Sequence, residues 1–393
     1  MPVVVFVLAV AVFAQGTSEF MVSGLLEQIA GDVGISLGAA GLLTSLFATG
    51  MVLGAPVMAT AAGRLPVRYS VTAFLALFCA AHVVGAVATG FGVLLVTRVV
   101  AAVANAGFLA VTLAALPRLV GPASVGRATS VVISGVTVAC IAGVPTGTLL
   151  GQAWGWRSTF WAVAVISAAA LVPVWFMFGR DERPDPQALS LRHEWSVVRL
   201  PEVQVAVAAG ILVNAATFAG FTYLGTITNA AAANGRWVAL ALALFGLGSF
   251  VGVTITGRYS DTHRHRIITA GTIALLAVWL LAALTAHLLI GVLIMAVVTG
   301  TVAFGVGSTL IATIVRIAAP TAPRIAGALA TTAFNVGAVL GPITAGLVVD
   351  RTTRPATAWL CSAVFTSAAV AVVLVAQRRH RANPSEKTRV NAR

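Results

Sequence analysis

Apolar residues fill this chain in long blocks, and polar residues gather between them. The blocks run at about 3–27, 38–62, 69–89, 91–116, 128–151, 159–178, 203–229, 237–257, 267–286, 288–315, 327–349 and 357–376. Each is near the roughly 20 residues that a helix needs to cross hydrocarbon. The pattern predicts an all-α membrane protein with twelve transmembrane helices, six per half. One sustained polar stretch interrupts it, with Arg180, Arg183, Pro184 and Pro186. Four parts are expected: a six-helix bundle over 1–178, a cytoplasmic linker over 179–202, a second bundle over 203–376 and a basic cytoplasmic tail over 377–393.

The two halves also repeat. At a constant offset of 198 residues, without a gap, Gly16, Glu19 and Phe20 fall on Asn214, Thr217 and Phe218. At the same offset Arg68, Arg118, Ala139, Gly143 and Trp161 fall on Arg266, Arg316, Gly337, Gly341 and Trp359. Duplicated helical halves are a transporter device, with the substrate site near the midplane between the repeats.

Composition removes the soluble alternative. Hydrophobic residues make up 59% of the chain and charged residues 9%, against roughly 25% charged in soluble domains; mean hydropathy is +1.00. The net charge of +13 could suggest nucleic acid, but its placement is topological. Nineteen of the 24 basic residues fall in the loops after helices 2, 4, 6, 8 and 10 and in the tail. Four, Arg157, Arg236, Arg351 and Arg354, fall on the other side. The positive-inside rule then puts both termini of this multi-pass protein in the cytoplasm. The bilayer is the expected partner, nucleic acid is not, and a monomer is expected.

Val12-Phe-Ala14 before Gln15 resembles a signal cleavage site. No Lys or Arg precedes the apolar run, and cleavage would remove the repeat match at 16–20, so retention is expected. Cys79, Cys140 and Cys361 lie singly in helices and read as packing residues. His263 and His265 flank Arg264 in a basic loop with no third ligand, so no metal is expected.

A charge inside hydrocarbon costs about 2.5–3.5 kcal/mol on insertion scales, which makes each one a functional candidate. Only Glu19 and Arg98 lie well within spans. Helix 1 runs outward and helix 4 inward, so both sit at about 10 Å below the outer surface. Pairing is feasible, either for proton coupling or as a structural ion pair. In the second half, Asn214, Phe218, Phe221 and Tyr223 mix ring faces with hydrogen-bonding groups, as small-molecule pockets do, or as ordinary packing does. Asn105 and Asn335 are further polar groups within helices. Gly135, Ala139, Gly143, Gly147 and Gly151 leave one face of helix 5 bare, and Pro145 adds a bend. Helix 11 repeats the device with Gly337, Gly341 and Pro342. The functional reading is that this bare, kinked pair forms a rocking interface. Gly291 falls at a predicted loop edge, where a larger side chain is expected to be mild. No phosphate-cradling Gly-x4-Gly-Lys-Ser/Thr loop is present, so ATP is not expected as the energy source. No nucleophile–base constellation suggests an enzyme.

These residues resemble the major facilitator superfamily over nearly the whole chain, and within it the twelve-helix drug:proton antiporters. Leu94-x3-Arg98 resembles the helix-4 motif whose arginine is implicated in proton coupling. Gly135-x3-Ala139-x3-Gly143-Val-Pro145-Thr-Gly147 is similar to the antiporter motif of helix 5. The loop 2–3 gating motif is degraded: Arg64 and Arg68 match, but Gly63 replaces its aspartate, while the second copy keeps Gly257 and Asp261. Gln15-Gly-Thr-Ser-Glu-Phe-Met21 and Gly155-Trp-Arg-x2-Phe-Trp161 look like the arabinose-efflux-like group. Ala104-Asn-Ala-Gly-Phe-Leu-Ala110 and Phe245-Gly-Leu-Gly-Ser-Phe250 look most like actinobacterial chloramphenicol exporters. The resemblance implies a cavity lined by helices 1, 4, 7 and 10. Glu19 and Arg98 would couple protons, and Asn105, Asn214, Phe218, Phe221, Tyr223 and Asn335 would contact substrate. Arg64, Arg68, Asp261, Gly143 and Pro145 would serve gating. It implies proton-driven export of a small amphiphilic drug without a cofactor, or, as the alternative, efflux of a sugar such as arabinose.

Overall fold

A computed structural model describes residues 2–61, 66–121, 124–178, 195–322 and 325–382. Among them are twelve helices long and apolar enough to cross a membrane. They are α1 (Val3–Phe20), α2 (Leu37–Gly54), α3 (Val67–Ala86), α4 (Phe91–Val120), α5 (Val125–Trp154), α6 (Arg157–Met177), α7 (Pro201–Ala232), α8 (Gly235–Ser260), α9 (Thr262–Thr285), α10 (Leu289–Ala318), α11 (Ala326–Thr352) and α12 (Thr357–Arg378). The backbone of such a segment has no water to bond, so it closes its hydrogen bonds internally as helix. Two boundaries differ from the apolar blocks. α1 does not run unbroken to its end: after Met21 it continues as a separate segment, Val22–Val33, stopped by Gly34 at φ 72. The loop expected around His263 is a kink at that one residue between α8 and α9.

The repeat is visible in the packing. Gly50 of α2 lies against Val99 and Ala102 of α4, and Gly248 of α8 lies against Val297 and Thr301 of α10. Gly16 of α1 packs on Ala139 of α5, and Gly337 of α11 packs on Asn214 and Ala215 of α7. The bare face of α5 continues along α1: Gly135 meets Ala9, Gly143 meets Thr17 and Phe13, and Gly151 meets Leu25. The small-residue stripes of α5 and α11 thus join helices within their own half. This corrects the rocking-interface reading of those faces, because α1 and α7 already fill them. The bend expected at Pro145 takes the form of a π-helical turn, Ala139–Gly143, just before it. The wider turn makes room for a ring that would otherwise meet the carbonyl of the preceding turn.

Other faces join the halves. Gly246 of α8 sits on the Cys140 carbonyl of α5, and Gly346 of α11 sits on Gly38 of α2. Asp350 of α11 accepts hydrogen bonds from Ser36 Oγ at 2.6 Å and from the Gly38 N–H at 2.8 Å. Ser45 Oγ donates to the Val339 carbonyl at 3.0 Å, Gln152 donates to the Gly235 carbonyl at 2.7 Å, and Asn229 donates to Glu27. Among the described residues, these cross-half bonds lie at mid-depth or toward the arginine-poor end.

Candidate substrate and proton site

Where α1 and α7 face each other, the two repeats meet through matched phenylalanines. Phe20 lies 5.9 Å from Phe218 and 5.8 Å from Phe221, ring centre to ring centre. Phe221 in turn lies 4.7 Å from Phe245, which lies 5.9 Å from Phe304. These five rings, with Cys140 and Thr217, line a pocket of about 290 Å³ measured between atom surfaces, with room for little beyond a water-sized molecule. Such ring pairs contribute about 0.5–1.5 kcal/mol each beyond their buried area. Phe218 and Phe221 were expected here; Phe20 and Phe245 entered only as members of longer matches and Phe304 not at all, because a phenylalanine in an apolar span carries no signal of its own.

The predicted asparagines are differently employed. Asn214 Nδ2 donates to the Phe334 carbonyl of α11 at 2.6 Å, which ties α7 to α11. Asn335 Nδ2 donates to the Thr331 carbonyl one turn back, at 3.0 Å. Tyr223 is fully buried, and its hydroxyl donates to the Pro342 carbonyl at 3.3 Å. Asn105 is buried within α4. None of the four lines the aromatic pocket.

Glu19 stands between Ser18 and the pocket residue Phe20 along α1 and is partly exposed. Its carboxylate is within electrostatic reach of Arg98 and of the pocket residue Cys140. Arg98 is 1% exposed, yet it does not form an ion pair with that carboxylate: among the described residues the only one is Arg157 with Asp32. Arg98 instead donates to Ser18 Oγ at 2.9 Å, to the Leu43 carbonyl at 3.3 Å and to the Glu19 main-chain carbonyl at 3.5 Å. Its guanidinium lies 4.3 Å over the Phe47 ring. α1 and α4 bring Glu19 and Arg98 together as expected, but through the main chain. Neutral acceptors and a ring face compensate the buried cation.

Sequence reasoning missed His82 of α3. It is 1% exposed, its Nε2 is 2.6 Å from Ser18 Oγ, and its Nδ1 is 2.7 Å from the Phe78 carbonyl. A charge count takes histidine as neutral and passes over it. The detectable signal was an ionisable side chain inside the third apolar block.

Of the gating candidates, Arg68 stacks 3.9 Å over Trp175 of α6 and is buried. Gly143 and Pro145 belong to the α5–α1 joint described above. Arg64 and the side chain of Asp261 lie outside the described residues.

Residues 8–324 and 230–392 match the family description Major Facilitator Superfamily. The chain is 47% identical over 356 residues to a "Chloramphenicol resistance protein" of Streptomyces lividans, covering 90% of this chain and 91% of that one. It is 30% identical over 270 residues, 68% of either chain, to AraJ of Escherichia coli (strain K12). Its fold superposes with a TM-score of 0.78 at 16% identity on an inward-facing, unoccupied crystal structure of a bacterial homologue of the human lysosomal transporter Spinster, over 95% of this chain and 96% of that one. With twelve apolar helices, a duplicated plan and these matches along its length, the chain belongs to the Major Facilitator Superfamily.

Proposed function

We propose that this multi-pass membrane protein exports a small aromatic drug, chloramphenicol or a close analogue, in exchange for protons, from a bacterial inner membrane with both termini in the cytoplasm. One observation carries the reading: five phenylalanines line a pocket whose Cys140 lies within electrostatic reach of Glu19, an ionisable group in the membrane. Aromatic faces suit a flat amphiphile. A carboxylate within electrostatic reach of the pocket is a group for which drug and proton can compete. The 47% identical relative named for chloramphenicol resistance supports the same substrate.

The cycle follows from the two ends. The arginine-rich end is cytoplasmic by the positive-inside rule, and the cross-half hydrogen bonds cluster toward the other end. Drug therefore loads from the cytoplasm. The pocket as it stands holds little beyond a water-sized molecule, far short of the 300–1,000 Å³ usual for ligand sites, so the rings part to admit the drug. Drug arrival displaces the proton from Glu19 to the cytoplasm. The halves then rock, drug leaves outside, and an external proton resets Glu19. One proton falling through about 100 mV supplies about 2.3 kcal/mol, and one pH unit adds about 1.4. Together they sustain a drug gradient of several hundredfold. A sugar site needs free hydrogen-bonding groups. Asn214, Asn335 and Tyr223 each turn a donor to a main-chain carbonyl, which favours the drug over the sugar.

The test is a resistance panel in a pump-deficient host, then chloramphenicol uptake into inverted vesicles with and without a protonophore. Resistance and protonophore-sensitive uptake are expected. An unchanged inhibitory concentration, with the protein demonstrably in the membrane, removes the drug assignment. Labelling of a cysteine at Arg236 from the cytoplasm would reverse the orientation.

A further inference from the structure

The Arg98 side chain is held by a hydrogen-bond chain whose direction is fixed atom by atom. A guanidinium can only donate, so Ser18 Oγ accepts from Arg98. The Phe78 carbonyl can only accept, so His82 carries its proton on Nδ1 and donates there. Nε2 is then left with a lone pair, and the Ser18 hydroxyl donates to it at 2.6 Å. The order runs from Arg98 through Ser18 and His82 to Phe78, with the Ser18 hydroxyl and both ring nitrogens of His82 used. The imidazole is wedged between the rings of Phe78 at 4.2 Å and Phe160 at 5.9 Å, so it has little freedom to turn.

Resting on the antiport reading above, we propose that His82, acting through Ser18, is a positioning residue that parks Arg98 away from the Glu19 carboxylate and so leaves that carboxylate open to the proton. Without an acceptor on His82, the Ser18 hydroxyl loses its anchor and Arg98 loses a directed partner. The nearest strong acceptor is then the carboxylate of Glu19, whose main-chain carbonyl Arg98 already touches. An Arg98–Glu19 pair would hold Glu19 in one charge state and stop exchange of its proton. The parking holds only while His82 is neutral: a proton on Nε2 turns it into a donor, and two cationic groups then face one hydroxyl oxygen. The charged group facing His82 is Arg98 of α4, through Ser18, while Cys79 on its own helix turns to the Ala164 carbonyl of α6. α6 presents Phe160, which does not titrate.

The experiment follows Glu19 protonation directly, by NMR of detergent-solubilised full-length protein with carbon-13-labelled glutamate, assigned by the signal that Glu19→Gln removes. His82→Leu, which cannot accept from Ser18, is expected to move the Glu19 midpoint by about one pH unit, a tenfold change in proton affinity. His82→Gln, which can still accept from Ser18 and donate to Phe78, is expected to keep the midpoint within about 0.3 unit of wild type. A merely structural histidine would alter stability in both variants and move the midpoint in neither. If His82→Leu does not fold, Ser18→Ala breaks the same bridge by removing one oxygen, and the same shift is expected. An unchanged midpoint in a folded His82→Leu or Ser18→Ala protein overturns the proposal. The readout needs no drug, so failure of chloramphenicol export would overturn the proposed function while leaving this result to stand or fall alone.

Discussion

The two halves of this protein share a skeleton and differ in chemistry. Ser18, Glu19, His82 and Arg98 hold the buried polar network of the first half. At 198 residues further on stand Ala216, Thr217, Leu280 and Ala296, none of them ionisable. Phe47 lies under the Arg98 guanidinium, while its repeat-mate Phe245 lies in the aromatic pocket. Yet the glycine joints coincide: Gly143 against Thr17 matches Gly341 against Ala215. Duplication preserved the contacts that require a missing side chain, since close backbone approach tolerates few substitutes. It released the positions where a side chain projects into the centre. One half came to carry the charge, and the other contributes most of the rings.

The most severe way to break this comparison is to remove the charge. Glu19→Gln is expected to reduce the drug gradient from several hundredfold to about unity while leaving downhill exchange intact, as measured in proteoliposomes under an imposed pH gradient. Moving the carboxylate with Glu19→Thr and Thr217→Glu together is expected to rescue nothing, because no counterpart of Arg98, Ser18 or His82 surrounds position 217. Uphill transport by that double variant would mean the halves are chemically interchangeable after all.

The shared skeleton gives the next test. Gly143→Leu and Gly341→Leu should each destabilise by about 1–3 kcal/mol through overpacking, read as similar falls in melting temperature. The Gly291 control expected from sequence fails, because a Cβ there would lie 2.7 Å from the Thr285 carbonyl. Gly92, with nothing within 4 Å of that position, is the proper control and should tolerate leucine. A benign Gly341→Leu beside a harmful Gly143→Leu would show the joints are not equivalent.

The rings come third. Phe218→Ala or Phe221→Ala should weaken drug binding by about tenfold, some 1.4 kcal/mol, in equilibrium binding with labelled drug. The pH dependence of proton release should remain. A shifted pH profile would place the rings inside the coupling network.

The smallest effect belongs to a pair without a repeat-mate. Asp32 accepts from Trp156 at 3.0 Å and pairs with Arg157, side chains 47% and 39% exposed; its counterparts are Ala230 and Pro355. The Arg157 hydrogen bond, then that of Trp156, holds the Asp32 carboxyl below its ordinary range. Its contribution is therefore full above the ordinary aspartate pKa and fades as pH falls through the lowered value. Solvent screens so exposed a pair, so Asp32→Asn should lower the melting temperature at neutral pH by at most about 2 °C, and less in acid. An equal loss at both pH values would assign the effect to packing rather than charge.

Hydropathy alone determined the membrane and the twelve helices, because hydrocarbon leaves a spanning backbone few options, and residues matched at one constant offset determined the duplication. It also marked Glu19 and Arg98, since a charge among apolar residues is conspicuous, and Phe218 and Phe221 on the facing helix. Tertiary structure decided what each group touches. Helical spacing cannot tell that Asn214 and Tyr223 would be consumed by carbonyls of α11. Nor can it tell that Arg98 would turn to Ser18 rather than to the neighbouring carboxylate, or that His82 would arrive behind it from α3. Those outcomes depend on hydrogen bonds between residues 64 to 120 positions apart. Such bonds exist only once the helices have chosen their neighbours and buried donors must look for acceptors across them.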